Sequence, residues 1–155
     1  MTHYDSNRRW RIIGVGSPVT GDDLGWRAIE ALRDAGLDRY AELLVLDRPG
    51  PALLEYLQPD GAVILIDAME AGLPPGSLRE LALEDLIGKA QAPSSHDLGV
   101  AETLALARAL GSLPQCLYLL GLQAYVAPEG RAWIARTVSS LVEKVCLILN
   151  IRGDP

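Results

Sequence analysis

The chain has 155 residues, of which 49% are hydrophobic and 22% charged, a composition typical of one folded domain. Its 14 Lys and Arg residues against 20 Asp and Glu residues give a formal net charge of −6, which disfavours nucleic acid as a partner. No apolar run reaches the ~18 residues of a membrane-spanning helix, and none near the N-terminus suits a signal sequence. We therefore expect a cytoplasmic single domain over residues 1–155, with loose residues 1–9, a core at about 10–150, and no membrane partner.

Short runs of consecutive apolar residues alternate along the chain with amphipathic stretches of helical period. The runs predict parallel strands buried on both faces, at Trp10–Val15, Leu43–Leu46, Ala62–Ile66 and Leu117–Leu122, with a weaker fifth strand at Ser77–Leu83. The amphipathic stretches predict helices at Asp22–Ala35, Asp97–Leu110 and Glu129–Leu149, with a short helix at Pro51–Leu57. This alternation is typical of an α/β fold, in which a layered sheet is built with right-handed crossovers.

The first predicted strand ends in a glycine-rich segment that leads into two adjacent acids, Asp22 and Asp23. A dinucleotide-binding turn is disfavoured, because five positions separate Gly16 from Gly21 where that fingerprint needs three. Two carboxylates at the start of a helix would also repel a phosphate. Either acid alone is typical of a helix cap, whereas two in a row after a buried strand also suit a functional carboxylate. Both interpretations remain open.

Two further polar residues are expected at the same edge of the sheet. Asp67 directly follows four apolar residues of the third strand, and a buried carboxylate needs a charge partner, hydrogen bonds or a metal. Glu70 lies further into the loop and is left out of the candidate site. His96 precedes a predicted helix for which its neighbours already offer caps. Backbone hydrogen bonding of Asp67, and a surface or core position for His96, are the purely structural alternatives.

Ligands of such sheets bind at the carboxyl ends of the strands, so Asp23, Asp67 and His96 can meet there. One imidazole and two carboxylates suit nickel, zinc, iron or manganese, and three protein ligands leave coordination positions open for an external group. A Ser-His-Asp hydrolase that uses Ser17 or Ser95 is the competing hypothesis. It is disfavoured because the chain has no Gly-x-Ser-x-Gly elbow.

A set of short motifs, taken in order, resembles the [NiFe]-hydrogenase maturation proteases. The motifs are Gly14-Val15-Gly16-Ser17 followed by Gly21-Asp22-Asp23, Asp67-Ala68 followed by Pro75-Gly76, Ser94-x-His96-x-x-Gly99, and Gly121-Leu122-Gln123. The match extends from about residue 11 to residue 147, nearly the whole chain. Each motif is unspecific alone, whereas the ordered set is fairly specific.

The resemblance implies a three-layer α-β-α fold, with a mostly parallel, twisted sheet of about five strands and helices on both faces. It implies an endopeptidase that removes the C-terminal extension of a hydrogenase large-subunit precursor after nickel insertion. The two acids of the family fall on Asp23 and Asp67 and its histidine on His96, so these residues would contact the metal and carry the catalysis. No cofactor is expected to be permanently bound, because the precursor presents the nickel.

Three features depart from the family pattern. Ser17 stands where Asn is common, and Ala124 stands where Pro is common. A single residue separates Asp23 from Gly25, where the family usually has two. This shorter spacing leaves Asp22 open as the metal ligand, with Asp23 as the helix cap. A non-cleaving binding or chaperone module for a metal-loaded hydrogenase partner is the alternative function.

Overall fold

A computed structural model of the chain describes residues 9–16, 23–47, 50–88, 99–124 and 132–151. The strands among these residues are β1 (Trp10–Gly16), β2 (Ala41–Asp47), β3 (Ala62–Met69), β4 (Leu78–Leu81) and β5 (Cys116–Gln123). The helices are α1 (Leu24–Asp34), α2 (Leu83–Gly88), α3 (Val100–Ala109) and α4 (Ala132–Leu149), with 3₁₀ turns at Leu37–Arg39 and Gly50–Tyr56. None of the helices in the described part of the chain combines the length and apolar character that crossing a membrane requires.

The strands form one sheet in the order β2-β1-β3-β5-β4. β1 pairs in parallel with β2 and β3, and β3 pairs in parallel with β5, whereas β4 runs antiparallel to β5. The carboxyl ends of β1, β3 and β5 therefore share one edge. The chain leaves β1 toward β2 and later returns to its other side as β3, so the crevice between β1 and β3 is the switch point at which such sheets bind ligands.

Alternate residues of the central strands pack against two different helical layers. Ile12, Ile64 and Ile66 belong to the cluster that buries the apolar faces of α1 and α4. Ile13 and Leu65 belong to a second cluster, which contains residues of the 3₁₀ turn Gly50–Tyr56 and of α3. The predicted α-β-α layering with helices on both faces is therefore confirmed.

The strand predicted at Leu43–Leu46 is not buried on both faces, because β2 lies at the edge of the sheet and its Val45 is 48% exposed. Four further local features also differ from the sequence prediction. β3 extends beyond Ile66 to Met69, because its last residues pair with β5 although they are less apolar. The helix predicted at Pro51–Leu57 is a 3₁₀ turn, and the short helix α2 was not predicted. The weak strand expected after Gly76 is β4, which runs antiparallel to β5; the loop before it contains two glycines with positive φ, Gly72 at 67° and Gly76 at 78°.

Candidate active site

The first turn of α1 lies directly on the backbone of the central strands. A Cβ on Gly25 would overlap Val15 O and would lie 2.8 Å from Ile66 O, and a Cβ on Gly14 would overlap Gly25 O. A Cβ atom essentially never comes within 3.0 Å of a heavy atom from another part of the chain, so this close approach requires glycine both in β1 and in α1. The first turn of α1 therefore lies in a fixed position over the crevice between β1 and β3.

This glycine contact determines where two of the three predicted site residues lie. Asp23 precedes Gly25 by two residues, and Asp67 directly follows Ile66, so both acids lie beside the same contact at the carboxyl edge. His96 lies outside the described residues, as does Asp22, the alternative ligand. The joint role of Asp23, Asp67 and His96 stays a prediction.

Asp23 does not use its side chain as a helix cap within the described residues, although its backbone occupies the N-cap position of α1. Its Oδ2 accepts a hydrogen bond of 2.8 Å from Nε of Arg27, one helical turn later. Its Oδ1 is buried and has no hydrogen-bond partner among the described residues. A buried carboxylate oxygen without a donor is energetically costly, and a cation or an N–H donor of a ligand would satisfy it.

Asp67 is half-buried, two residues before the end of β3, and its Oδ1 accepts a hydrogen bond of 2.8 Å from the backbone N–H of Ala68. The structural alternative, in which backbone N–H groups hold this carboxylate, is thus realised for one oxygen. In the neighbouring strand, Asp67 stands opposite Gly121, which places no side chain beside it. The carboxylate is therefore oriented by its own backbone, and the space over Gly121 on that face is filled by the side chains of Met69 and Leu81.

The two acids supply the oxygen half of the predicted mixed donor set. Carboxylate oxygens and an imidazole nitrogen suit a divalent transition metal such as nickel. Within the part of the chain that the structure describes, no group of three His, Cys, Asp or Glu residues is placed to hold a metal ion. A three-ligand centre at this edge would therefore need a residue beyond that part, such as His96.

Sequence reasoning assigned no role to two residues that the structure places at this edge. Arg27 binds Asp23 from the position four residues later, and this spacing is a recognisable sequence signal for a helical ion pair. Gln123, the last residue of β5, is only 2% exposed and binds the loop that follows β3. The sequence signal for Gln123 is a polar residue at the end of an apolar strand, but the sequence does not show which groups its amide binds.

Comparison with known proteins agrees with this fold. Residues 27–150 match the model of the hydrogenase maturation protease family HycI. Over 117 residues the chain is 32% identical to the hydrogenase expression/formation protein HupD of Thiocapsa roseopersicina, covering 72% of the chain and 52% of that protein. It is 30% identical over 140 residues to HoxM of Cupriavidus necator, covering 84% of the chain and 67% of that protein. The chain thus spans about half to two thirds of the length of these curated relatives.

Solved structures of the same class are also similar. The hydrogenase maturating endopeptidase HybD from E. coli superposes with a TM-score of 0.70 at 25% identity, with 92% of each chain covered. HycI from Thermococcus kodakarensis, a [NiFe] hydrogenase maturation protease, shares the fold with a TM-score of 0.62 at 21% identity, again with 92% of each chain covered. Fold and sequence together define a protein of the maturation-peptidase class. The chain belongs to the hydrogenase maturation protease family, as its motifs predicted.

Proposed function

We propose that this chain is a cytoplasmic endopeptidase that removes the C-terminal extension of a [NiFe]-hydrogenase large-subunit precursor after nickel has been inserted. Membership of the maturation protease family supports the peptidase class and a hydrogenase precursor as the substrate. The observation that carries the site is the buried Oδ1 of Asp23, which no described residue satisfies, at the edge shared with Asp67.

The nickel of the precursor is part of the substrate in this proposal. Asp23 and Asp67 offer carboxylate oxygens to it, and His96 is the expected third contact. A divalent ion at such a position polarises the carbonyl of a peptide bond nearby. Arg27 holds Oδ2 of Asp23 at 2.8 Å, so Oδ1 is the oxygen of this carboxylate that still lacks a donor among the described residues.

The direct test incubates the protein with purified hydrogenase large-subunit precursors from the same organism, each prepared with and without nickel. Mass spectrometry then follows the C-terminus of each precursor. We expect a mass loss of one short peptide, only from a nickel-loaded precursor. Stable binding without mass loss would overturn the proposal and would favour a binding or chaperone module that does not cleave its hydrogenase partner.

We expect His96→Ala to give a folded protein that no longer processes the precursor. The imidazole is the one nitrogen donor of the proposed set, and its removal leaves two carboxylates to hold the metal-bearing end. The matched control is His3→Ala, which removes the only other histidine of the chain and should process normally. Circular dichroism and thermal unfolding check the fold, and an unfolded His96→Ala protein would make this residue structural instead.

We expect Arg27→Met to reduce processing about 10-fold, because removing a group that orients a metal-binding side chain typically costs 10- to 100-fold. Arg27 is 47% exposed in its side chain, and such a surface ion pair contributes at most about 1 kcal/mol to stability. Arg108→Met is the matched control, since Arg108 is 45% exposed and pairs with Glu84 at 2.7 Å. Equal processing rates for the two variants would show that Arg27 does not position Asp23.

A further inference from the structure

The side-chain amide of Gln123 makes hydrogen bonds with four groups of the described residues. Its Oε1 accepts from the backbone N–H of Ala71 at 2.9 Å and of Leu73 at 3.2 Å. Its Nε2 donates to Oε1 of Glu70 at 2.9 Å and to the backbone carbonyl of Ala124 at 3.2 Å. A Gln amide has two N–H donors and one carbonyl oxygen with two lone pairs, so this buried amide is fully satisfied.

The backbone of the same residue holds the far end of the loop after β3. The N–H of Gln123 donates to Ser77 O at 2.8 Å, and the N–H of Gly76 donates to Gln123 O at 3.0 Å. The hydroxyl of Thr137, in α4, donates to Gly76 O at 3.0 Å. The loop from residue 70 to residue 77 is thus tied at both ends to the last residue of β5.

This network borders the candidate active site. In the β3–β5 pairing, Asp67 stands opposite Gly121 and Met69 stands opposite Gln123. Alternate strand residues point to the same face, so Gln123 and Asp67 share a face of the sheet, two positions apart along the strands. Glu70 follows Asp67 by three residues, and its carboxylate is held at the carboxyl edge of the sheet.

Glu70 is exposed, yet a buried donor fixes its carboxylate. An exposed carboxylate normally keeps its rotamer freedom, and fixing a Glu side chain costs up to about 1.5–2 kcal/mol of conformational entropy. The bonds from Gln123 Oε1 to the loop backbone already tie the loop to β5. The additional bond from Nε2 is directed at the one charged group of this network, and it holds that charge at the edge where the substrate is proposed to bind.

We infer that Glu70 is a specificity-determining residue that contacts a positive charge on the precursor, and that Gln123 is the positioning residue that aims it. This inference rests on the proposed function. The positive charge belongs either to a basic side chain of the precursor or to its nickel. Repeating the binding measurement with nickel-free precursor distinguishes these two sources. The effect of Glu70→Gln on Kd persists without the metal only if Glu70 contacts a basic side chain.

The first variant is Glu70→Gln, which keeps size and shape and removes the charge. We expect the Kd and the KM for the precursor to rise about 10-fold, because hydrogen bonds to charged groups are worth more than neutral ones. The kcat should not change, since Asp67 is untouched, and Tm should change little, since Gln keeps an oxygen that accepts from Nε2 of Gln123. Glu84→Gln is the control, because Glu84 is also exposed and its carboxylate is also held by one side chain, that of Arg108, but it lies in α2.

The second comparison separates positioning from a merely structural role. Gln123→Glu keeps an acceptor for Ala71 and Leu73 but places a carboxylate against Glu70, so both Tm and precursor affinity should fall. Adding Glu70→Gln to that variant puts an amide donor at position 70. Residue 70 can then donate to the carboxylate at position 123, which is the reverse of the wild-type bond. The single variant Gln123→Glu and the double variant both lack the bond to Ala124 O. A difference in Tm or affinity between them therefore reports only the contact between positions 70 and 123. We expect the second change to raise Tm but not affinity, because the charge at position 70 is gone.

The possible outcomes separate this inference from the proposed function. A wild-type protein that cleaves the precursor, with unchanged Kd and KM in Glu70→Gln, overturns the inference alone. Restoration of both Tm and affinity in the double variant also overturns it, because the network is then structural only. A wild-type protein that binds without cleaving overturns the proposed peptidase, and the Kd values of the variants still decide the inference. A wild-type protein that binds no precursor overturns both.

Discussion

We expect Asp67→Asn to abolish precursor processing while the protein stays folded, with a rate that falls by more than the roughly 10- to 100-fold typical for loss of a group that only orients a metal ligand. The substitution removes the negative charge that is proposed to hold the metal-bearing end of the substrate. The amide of Asn keeps an oxygen that can accept the 2.8 Å hydrogen bond from the N–H of Ala68. The loss of rate should therefore occur without a loss of Tm.

The matched control for this prediction is Asp47→Asn. Asp47 is the last residue of β2, so it also lies at the carboxyl edge of the sheet, but it is exposed on the outer strand. It pairs with Gly16 and lies outside the crevice between β1 and β3. We expect this variant to process the precursor at the wild-type rate. Processing at the wild-type rate by Asp67→Asn would remove Asp67 from the catalytic set.

The second large effect is expected for Gly25→Ala, which should destabilise the protein by about 3 kcal/mol, the upper part of the range for overpacking a close contact. The new Cβ would overlap Val15 O and lie 2.8 Å from Ile66 O, and these are backbone atoms of two central strands that cannot yield. Helix propensity alone predicts the opposite sign, because Ala in a helix is more stable than Gly by roughly 1 kcal/mol. Chemical denaturation measures the change in the free energy of unfolding.

Gly88→Ala is the control for Gly25→Ala. Gly88 ends α2, and a Cβ there would meet no heavy atom within 4 Å. We expect this variant to be neutral or slightly stabilised. If Gly25→Ala were as stable as Gly88→Ala, the close approach of α1 to β1 and β3 would not exist. Displacing α1 also moves Asp23 relative to Asp67, so processing by Gly25→Ala should fall further than its stability explains.

The backbone of this fold follows closely from local patterns. Consecutive apolar residues such as those from Ala62 to Ile66 identify strands buried on both faces, and the helical stripes identify the layers that cover them. The extension of β3 to Met69 was not predictable, because pairing with β5 and not apolarity maintains it. α2 was missed because six residues cover too few turns to show a helical period.

The side-chain chemistry of the candidate site was less accessible to sequence. An Asp before a helix is usually a cap, yet Asp23 binds Arg27 instead, because Arg27 reaches its carboxylate from the next turn. The partners of Gln123 lie about fifty positions earlier in the chain, so they depend on how the loop after β3 packs. Glu70 was set aside for its distance from the strand, although the amide of Gln123 holds it at that edge.

The glycine contact between α1 and the strands also affects how residues are matched among relatives. Since Gly25 is the fixed point, the direction of Asp23 depends on how many residues lie between it and that glycine. One added residue turns a helical position by about 100°, as 3.6 residues make a turn. Relatives in which more residues separate the acid from the glycine must therefore be aligned backward from the glycine. Insertions before the acid, in the connection from β1 to α1, leave the direction of the acid unchanged.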